Sequence, residues 1–325
     1  MTIARRHQIR LEVTPYYHCI TRCVRRAFLC GRDNYTGKSF EHRRKWIEDR
    51  LLYLNGVFCI KVVGYAVMSN HYHVIVRIDD SRAKELTQSE VIARWRKLYK
   101  GPPVVRKYLG DAVLSEEESN SLSQLVNVWR EQLANISRFM GNLNEYIARR
   151  SNEEDACKGR FWESRFKLQA ILDLPALLRT MCYVDLNPVR AKMAATPEQS
   201  EFTSVRRRLQ KGDHNLAAFS EIISIEDRIR LDSVSIHATD PIPIKFEDYL
   251  ELLDWTGRSQ AKGKSGLVGE DQPPILDRLG FSRKQWLQFQ EYRKKSWTQR
   301  AFGTVESVRA YCESIGQRWI WQLVT

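Results

Sequence analysis

Two histidines sit one residue apart in the stretch VMSNHYHVIV, residues 67–76, in a chain that has only seven. Side chains at i and i+2 of a strand point to the same face, so this spacing predicts that His71 and His73 stand side by side while Tyr72 and Val74 point away. Two imidazoles on one rigid face can begin a metal site; the bland alternative is a structural pair with no chemistry. A third ligand and a nucleophile would be needed, and CYVDLNPVR, residues 182–190, offers both types. Tyr183 and Asn187 are four apart, which on a helix puts both on one face. A helix crossing the sheet above the histidines would let Asn187 offer an amide oxygen to the metal and Tyr183 a phenol to a bound phosphate. The alternative is equally physical: Asn-Pro commonly opens a helix, and Tyr183 is then core. Tyr146 is a rival nucleophile, although Arg150 rather than a ligand-type residue follows it at i+4. HCITRC, His18 to Cys23, has the nearest zinc-like composition, but no second ligand pair follows at finger spacing.

The elements around these residues read as follows. Residues 15–24 mix aromatic and β-branched types as a strand does. Residues 38–54 place Phe40, Trp46, Ile47, Leu51 and Leu54 near one helical face. Residues 59–68 and 71–79 are two strands joined at Ser69-Asn70, a hairpin signal. Strand, helix, strand, strand opens a ferredoxin-like, split βαβ sheet. Residues 81–120 are polar and read as an insertion carrying a short helix and an acidic patch, SEEES. The apolar residues Leu122, Leu125, Trp129, Leu133, Ile136, Met140, Leu143 and Ile147 predict one long helix. RFWESRFKLQAIL, 160–172, predicts another strand, and a helix runs from Leu174 to Asn187-Pro188. The expected class is therefore α+β: a ferredoxin-like antiparallel sheet with packed helices over residues 1–213, and a helical C-terminal extension over 214–325. Within that extension, residues 275–295 have the outline of a helix-turn-helix, with Ser282 as cap and Arg283 and Lys284 in the first turn, a candidate DNA-binding unit.

Composition narrows the partner. An apolar share of 43% over 325 residues supports a real core, and a net charge of +13 favours a polyanion, nucleic acid before anionic membrane. Nine tryptophans and thirteen tyrosines supply flat surfaces for unpaired bases. No apolar run approaches a membrane span, and MTIARRHQIR lacks the apolar core of a signal peptide, so the expected location is the cytoplasm, without membrane association. Seven scattered cysteines with no CxxC pair predict reduced thiols.

Three motifs carry a family resemblance. NHYHVIV resembles the His-hydrophobic-His motif of the HUH endonucleases, and YVDLNPVRAKM resembles the tyrosine helix of the single-tyrosine transposases. GRFWESRF, between them, is similar to a strand of the REP-associated tyrosine transposases. Order and approximate spacing agree across roughly residues 14–195. Tyr72 is bulkier than the usual aliphatic in the motif's middle slot, and residues 81–120 and those after 215 fall outside the pattern. The resemblance implies a divalent-metal-dependent transesterase that cuts and rejoins single-stranded DNA at hairpin-forming repeats through a 5′-phosphotyrosine. It implies that His71, His73 and Asn187 hold Mg²⁺ or Mn²⁺ and that Tyr183 is the nucleophile. A phenol is mostly protonated at neutral pH and needs such help to attack. The best phosphate-contact candidates are Arg22, Arg25, Arg26, Arg160, Arg165, Lys167 and Arg190. A monomer and a homodimer are both compatible with this reading. The competing classes are a domesticated, non-catalytic nucleic-acid-binding protein on the same fold, and a zinc-stabilised regulator using His18, Cys19 and Cys23.

Overall fold

A computed structural model describes residues 7–24, 29–33, 37–211, 216–219, 242–261, 284 and 300–317. Its centre is a sheet of five strands: β1 (Tyr16–Arg22), β2 (Ile60–Val67), β3 (His71–Ile78), β4 (Lys167–Ile171) and the short β5 (Ala301–Phe302). They lie in the order β2-β3-β1-β4-β5, with every pairing antiparallel except β4–β5. The Ser69-Asn70 turn closes the β2–β3 hairpin, where the Met68 N–H donates to the His71 carbonyl at 2.9 Å. The helix α1 (His42–Val57) links β1 to β2, which are separated in the sheet by β3. The molecule is a mixed α+β fold.

Alternation along the strands divides the core in two. Tyr17, Cys19, Tyr72, Val74 and Val76 point to one face, where they pack with Ile47, Leu51 and Leu54 of α1. Two further helices cover that face: α5 (Glu116–Leu133) and α6 (Ile136–Glu154). The single helix expected through Leu122–Ile147 is thus two. The break falls at Ala134-Asn135, where the Asn135 side chain accepts from the Arg138 N–H at 3.0 Å and starts α6 afresh. The apolar period continues across the break because both helices use the same face, so periodicity alone could not show it. The acidic SEEES segment is the first turn of α5. Ser115 and Glu118 form a capping box, and the glutamates favour the positive end of the helix dipole.

The region read as an insertion is packed into this layer. It forms α2 (Asp80–Glu85), α3 (Gln88–Arg96) and α4 (Pro103–Leu109). Trp95 of α3 stacks on Trp129 of α5 with ring centroids 5.2 Å apart, and Val91, Ile92 and Val105 are buried beneath them.

The opposite face carries Tyr16, Ala66, Ile75 and Ile171, and is covered by α7 (Leu174–Asp185). Asp173 caps α7 by accepting from the Ala176 N–H at 2.9 Å, with Pro175 in the first turn. The chain then runs through α8 (Asn187–Arg190) and α9 (Ser204–Lys211). Described parts of the C-terminal region join the same body. Leu252 and Leu253 of α10 (Phe246–Ala261) pack in the α7 core, β5 extends the sheet, and α11 (Val305–Ser314) follows it. Residues 275–295, apart from Lys284, lie outside the described residues, and with them the helix-turn-helix outline.

Candidate active site

The sheet face beneath α7 holds the chemistry-bearing residues. In the β1–β3 register, Ile20 lies opposite His73 and Arg22 opposite His71. Residues i and i+2 share a face, so His18, Ile20 and Arg22 of β1 stand on the same side as His71 and His73. The rings of His71 and His73 are edge to face with centroids 5.0 Å apart. Above them, the Tyr183 ring meets His73 edge-on at 5.6 Å between centroids. Arg190 lies over the Tyr183 ring, its guanidinium carbon 5.2 Å from the centroid, a cation–π arrangement. The structure therefore brings together five of the residues singled out from sequence: His71, His73 and Tyr183, with Arg190 against the tyrosine and Arg22 beside His71.

Each histidine of β3 has its Nδ1 engaged. His71 Nδ1 is 2.6 Å from Asn70 Oδ1, which can only accept, so His71 carries its hydrogen on Nδ1 and its lone pair on Nε2. His73 Nδ1 is 2.9 Å from Nε2 of His18. Such partners are what fix metal-binding imidazoles in place. Burial, with the Arg22 charge as a lesser cause, lowers the His71 pKa to about 4. At neutral pH the ring is uncharged, the form that ligates metals.

Asn187 is half-buried one turn beyond Tyr183, because Leu186 keeps helical angles between α7 and α8. Its amide nitrogen is buried and makes no hydrogen bond among the described residues. A half-turn of the amide exchanges nitrogen for oxygen, so the same buried position can present a ligating oxygen. Among the described residues no three His, Cys, Asp or Glu side chains gather to hold a metal ion. Two imidazoles and an amide oxygen would make a mixed nitrogen–oxygen donor set, a chemistry that suits Mg²⁺ or Mn²⁺.

The segment holding Tyr183 is fixed by a group the sequence did not advertise. Asp185 is fully buried and accepts from the Ser204 hydroxyl at 2.7 Å, the Val205 N–H at 3.2 Å and the Tyr249 hydroxyl at 2.5 Å. Burial raises its pKa above the usual carboxylate value, against these hydrogen bonds, which lower it. Gly257 brings α10 so near that a Cβ there would meet Leu186 Cδ2 at 3.1 Å.

The remaining candidates are scattered around this centre. Lys167, exposed at the start of β4, is opposite Ile20 and so shares the histidine face. Arg160 and Arg165 are exposed on the segment before β4, where the Glu163 N–H donates to the Arg22 carbonyl at 2.9 Å. Arg25 and Arg26 lie outside the described residues. Tyr146 belongs to the other layer: it packs against the α1–α6 core, lies under Arg50, and its hydroxyl accepts from Arg150 at 2.8 Å. The zinc grouping of His18, Cys19 and Cys23 is contradicted, since Cys19 and Cys23 point into the α1–α6 core while His18 faces the opposite way. None of the seven cysteines is in a disulfide. Tyr72 is accommodated on the α6 side, where its hydroxyl donates to Asn144 Oδ1 at 2.5 Å and its ring meets Trp162 at 5.8 Å.

No family model matches the chain, and no curated protein matches it. A solved structure similar to it is a REP-associated tyrosine transposase bound to a REP hairpin, at 12% identity and a TM-score of 0.38, over 65% of this chain and 87% of that one.

Proposed function

We propose that this protein is a metal-dependent transesterase that cuts and rejoins single-stranded DNA at hairpin-forming repeats, as a transposase does, with Tyr183 as nucleophile. The observation that carries the reading is the edge-on contact of Tyr183 with His73, itself beside His71, on one sheet face. The strand order β2-β3-β1-β4 supports a ferredoxin-like, split βαβ core beneath it.

In this reading His71 and His73 through Nε2, and Asn187 through its amide oxygen, hold Mg²⁺ or Mn²⁺. The ion, when bound, neutralises charge on the scissile phosphate and stabilises the leaving 3′-oxygen. The Tyr183 oxygen forms a bond to phosphorus as the bond from phosphorus to the 3′-oxygen breaks. The phenolic proton ends on the released 3′-hydroxyl. The 5′-phosphotyrosine keeps the bond energy, so a second 3′-hydroxyl can reverse the step and rejoin a strand without a nucleotide cofactor. Arg190 sits against the Tyr183 ring, and burial lowers its pKa only to about 10, so it keeps its charge at neutral pH for a nearby phosphate. Arg22 and Lys167 give the same face a basic rim, joined by Arg160 and Arg165 on the adjoining segment.

The test is incubation of the protein with end-labelled single-stranded hairpin DNA and Mn²⁺. Cleavage that leaves one product covalently attached to protein supports the assignment. Tight binding with no cleavage under any divalent metal would favour the non-catalytic nucleic-acid-binding class instead.

A further inference from the structure

The contact between His18 and His73 has a consequence for which nitrogen of His73 carries hydrogen. A neutral imidazole has one donor and one acceptor nitrogen, so the 2.9 Å contact from His18 Nε2 to His73 Nδ1 has two possible directions. Either His73 donates from Nδ1 and keeps its lone pair on Nε2, or His18 donates and His73 carries its hydrogen on Nε2. Both residues are fully buried, so bulk water is not available as a substitute partner. The rings lie nearly parallel, 16° apart with centroids separated by 5.1 Å, held by the β1–β3 register that places His18 diagonally from His73.

His71 supplies the deciding comparison. Asn70 Oδ1 fixes its hydrogen on Nδ1 and its lone pair on Nε2. Two neighbouring histidines can share one metal through Nε2 only if both have the same tautomer. We propose that His18 is the positioning residue for His73: its Nε2 accepts from His73 Nδ1–H and so keeps the His73 lone pair on Nε2. His18 then carries its own hydrogen on Nδ1. In the β1–β4 register it faces Gln169, whose side chain is buried on the same sheet face. With its Nε2 committed to His73, His18 acts through that residue. The inference rests on the reading of His73 as a ligand.

The experiment has two readouts on the full-length chain. Long-range proton–nitrogen correlation spectra of the ¹⁵N-histidine-labelled, metal-free protein report which ring nitrogen of each histidine carries hydrogen. Mn²⁺ affinity is followed by the electron paramagnetic resonance of the free ion. The wild type should show His73 protonated on Nδ1. His18→Leu should lose that preference and bind Mn²⁺ about ten- to a hundredfold more weakly, the usual effect of removing such a partner. His18→Gln, which keeps an acceptor at a similar reach, should restore most of the affinity. His73 protonated on Nε2 in the wild type, or a wild type that binds Mn²⁺ with its affinity unchanged in His18→Leu, overturns the proposal. If His18→Leu does not give a cooperative melt, the wild-type tautomer and the His18→Gln affinity decide. A wild type that binds no Mn²⁺ yet shows His73 protonated on Nδ1, and loses this in His18→Leu, refutes the metal reading while sustaining the positioning role.

Discussion

The Tyr249 hydroxyl donates to Asp185 Oδ2 at 2.5 Å and so ties α10 to the last turn of α7, two residues beyond Tyr183. A hydrogen bond to a buried carboxylate contributes about 1.5–3 kcal/mol. Tyr249→Phe keeps the ring and should cost stability of that order in urea denaturation. Cleavage should fall further than hairpin binding does, because the helix of Tyr183, the proposed nucleophile, loses an anchor while the basic rim is untouched. Equal losses in both assays would show that α10 does not position Tyr183.

Asp185 also gives a pH dependence whose sign can be worked out. Its folded pKa is raised, so between the ordinary value of 3.8 and the folded value the native state binds more protons than the unfolded chain. Stability from this group is complete at the acidic end of that window and is lost as pH rises through the folded pKa. Asp185→Asn removes the titration. The stability difference should therefore shift in favour of the variant as pH is raised from 4 upward, as read from urea midpoints at several pH values. A gap that is constant with pH would contradict the assignment.

The basic rim predicts a salt effect. Binding of single-stranded hairpin DNA should weaken steeply with salt, and each phosphate contact removed should reduce the log–log slope by about 0.7. Arg22→Ala and Lys167→Ala should each lower the slope by that amount and weaken all sequences alike. A hairpin should bind better than an unstructured strand of equal length. Fluorescence anisotropy across a salt series measures both effects.

Substitutions within the centre should rank by role. Tyr183→Phe should abolish cleavage while fold and DNA binding persist, and His71→Ala and His73→Ala should abolish it through loss of metal binding. Asn187→Ala should do less, since water can replace a neutral amide ligand. Tyr146→Phe should be nearly silent, because Tyr146 packs in the opposite layer. A single-turnover cleavage assay of the five variants gives the order directly.

Much of this was legible in the sequence because strand alternation is local. His71 and His73 share a face by spacing alone, and Ser69-Asn70 marks the turn before them. The pairing of His18 with His73 was not legible, since it depends on β1 lying next to β3. Alternation in YYHCITR shows that His18, Ile20 and Arg22 share a face, but not which strand they adjoin. Nothing near Asp185 in the sequence marks it as an anchor, because its partners come from Ser204 and Tyr249, 19 and 64 residues away. The break at Asn135 was hidden because α5 and α6 bury one continuous apolar face. Tyr72 looked bulky for its slot until Asn144 and Trp162 supplied a polar end and a ring contact.

The most direct measurement is peptide mapping of the covalent adduct. The protein is incubated with labelled single-stranded hairpin DNA and Mn²⁺, digested with protease and nuclease, and the modified peptide is sequenced by mass spectrometry. The account predicts a phosphonucleotide on Tyr183, within MCYVDLNPVR, and no adduct from Tyr183→Phe. Modification of Tyr146, or an adduct that persists undiminished in Tyr183→Phe, would contradict it.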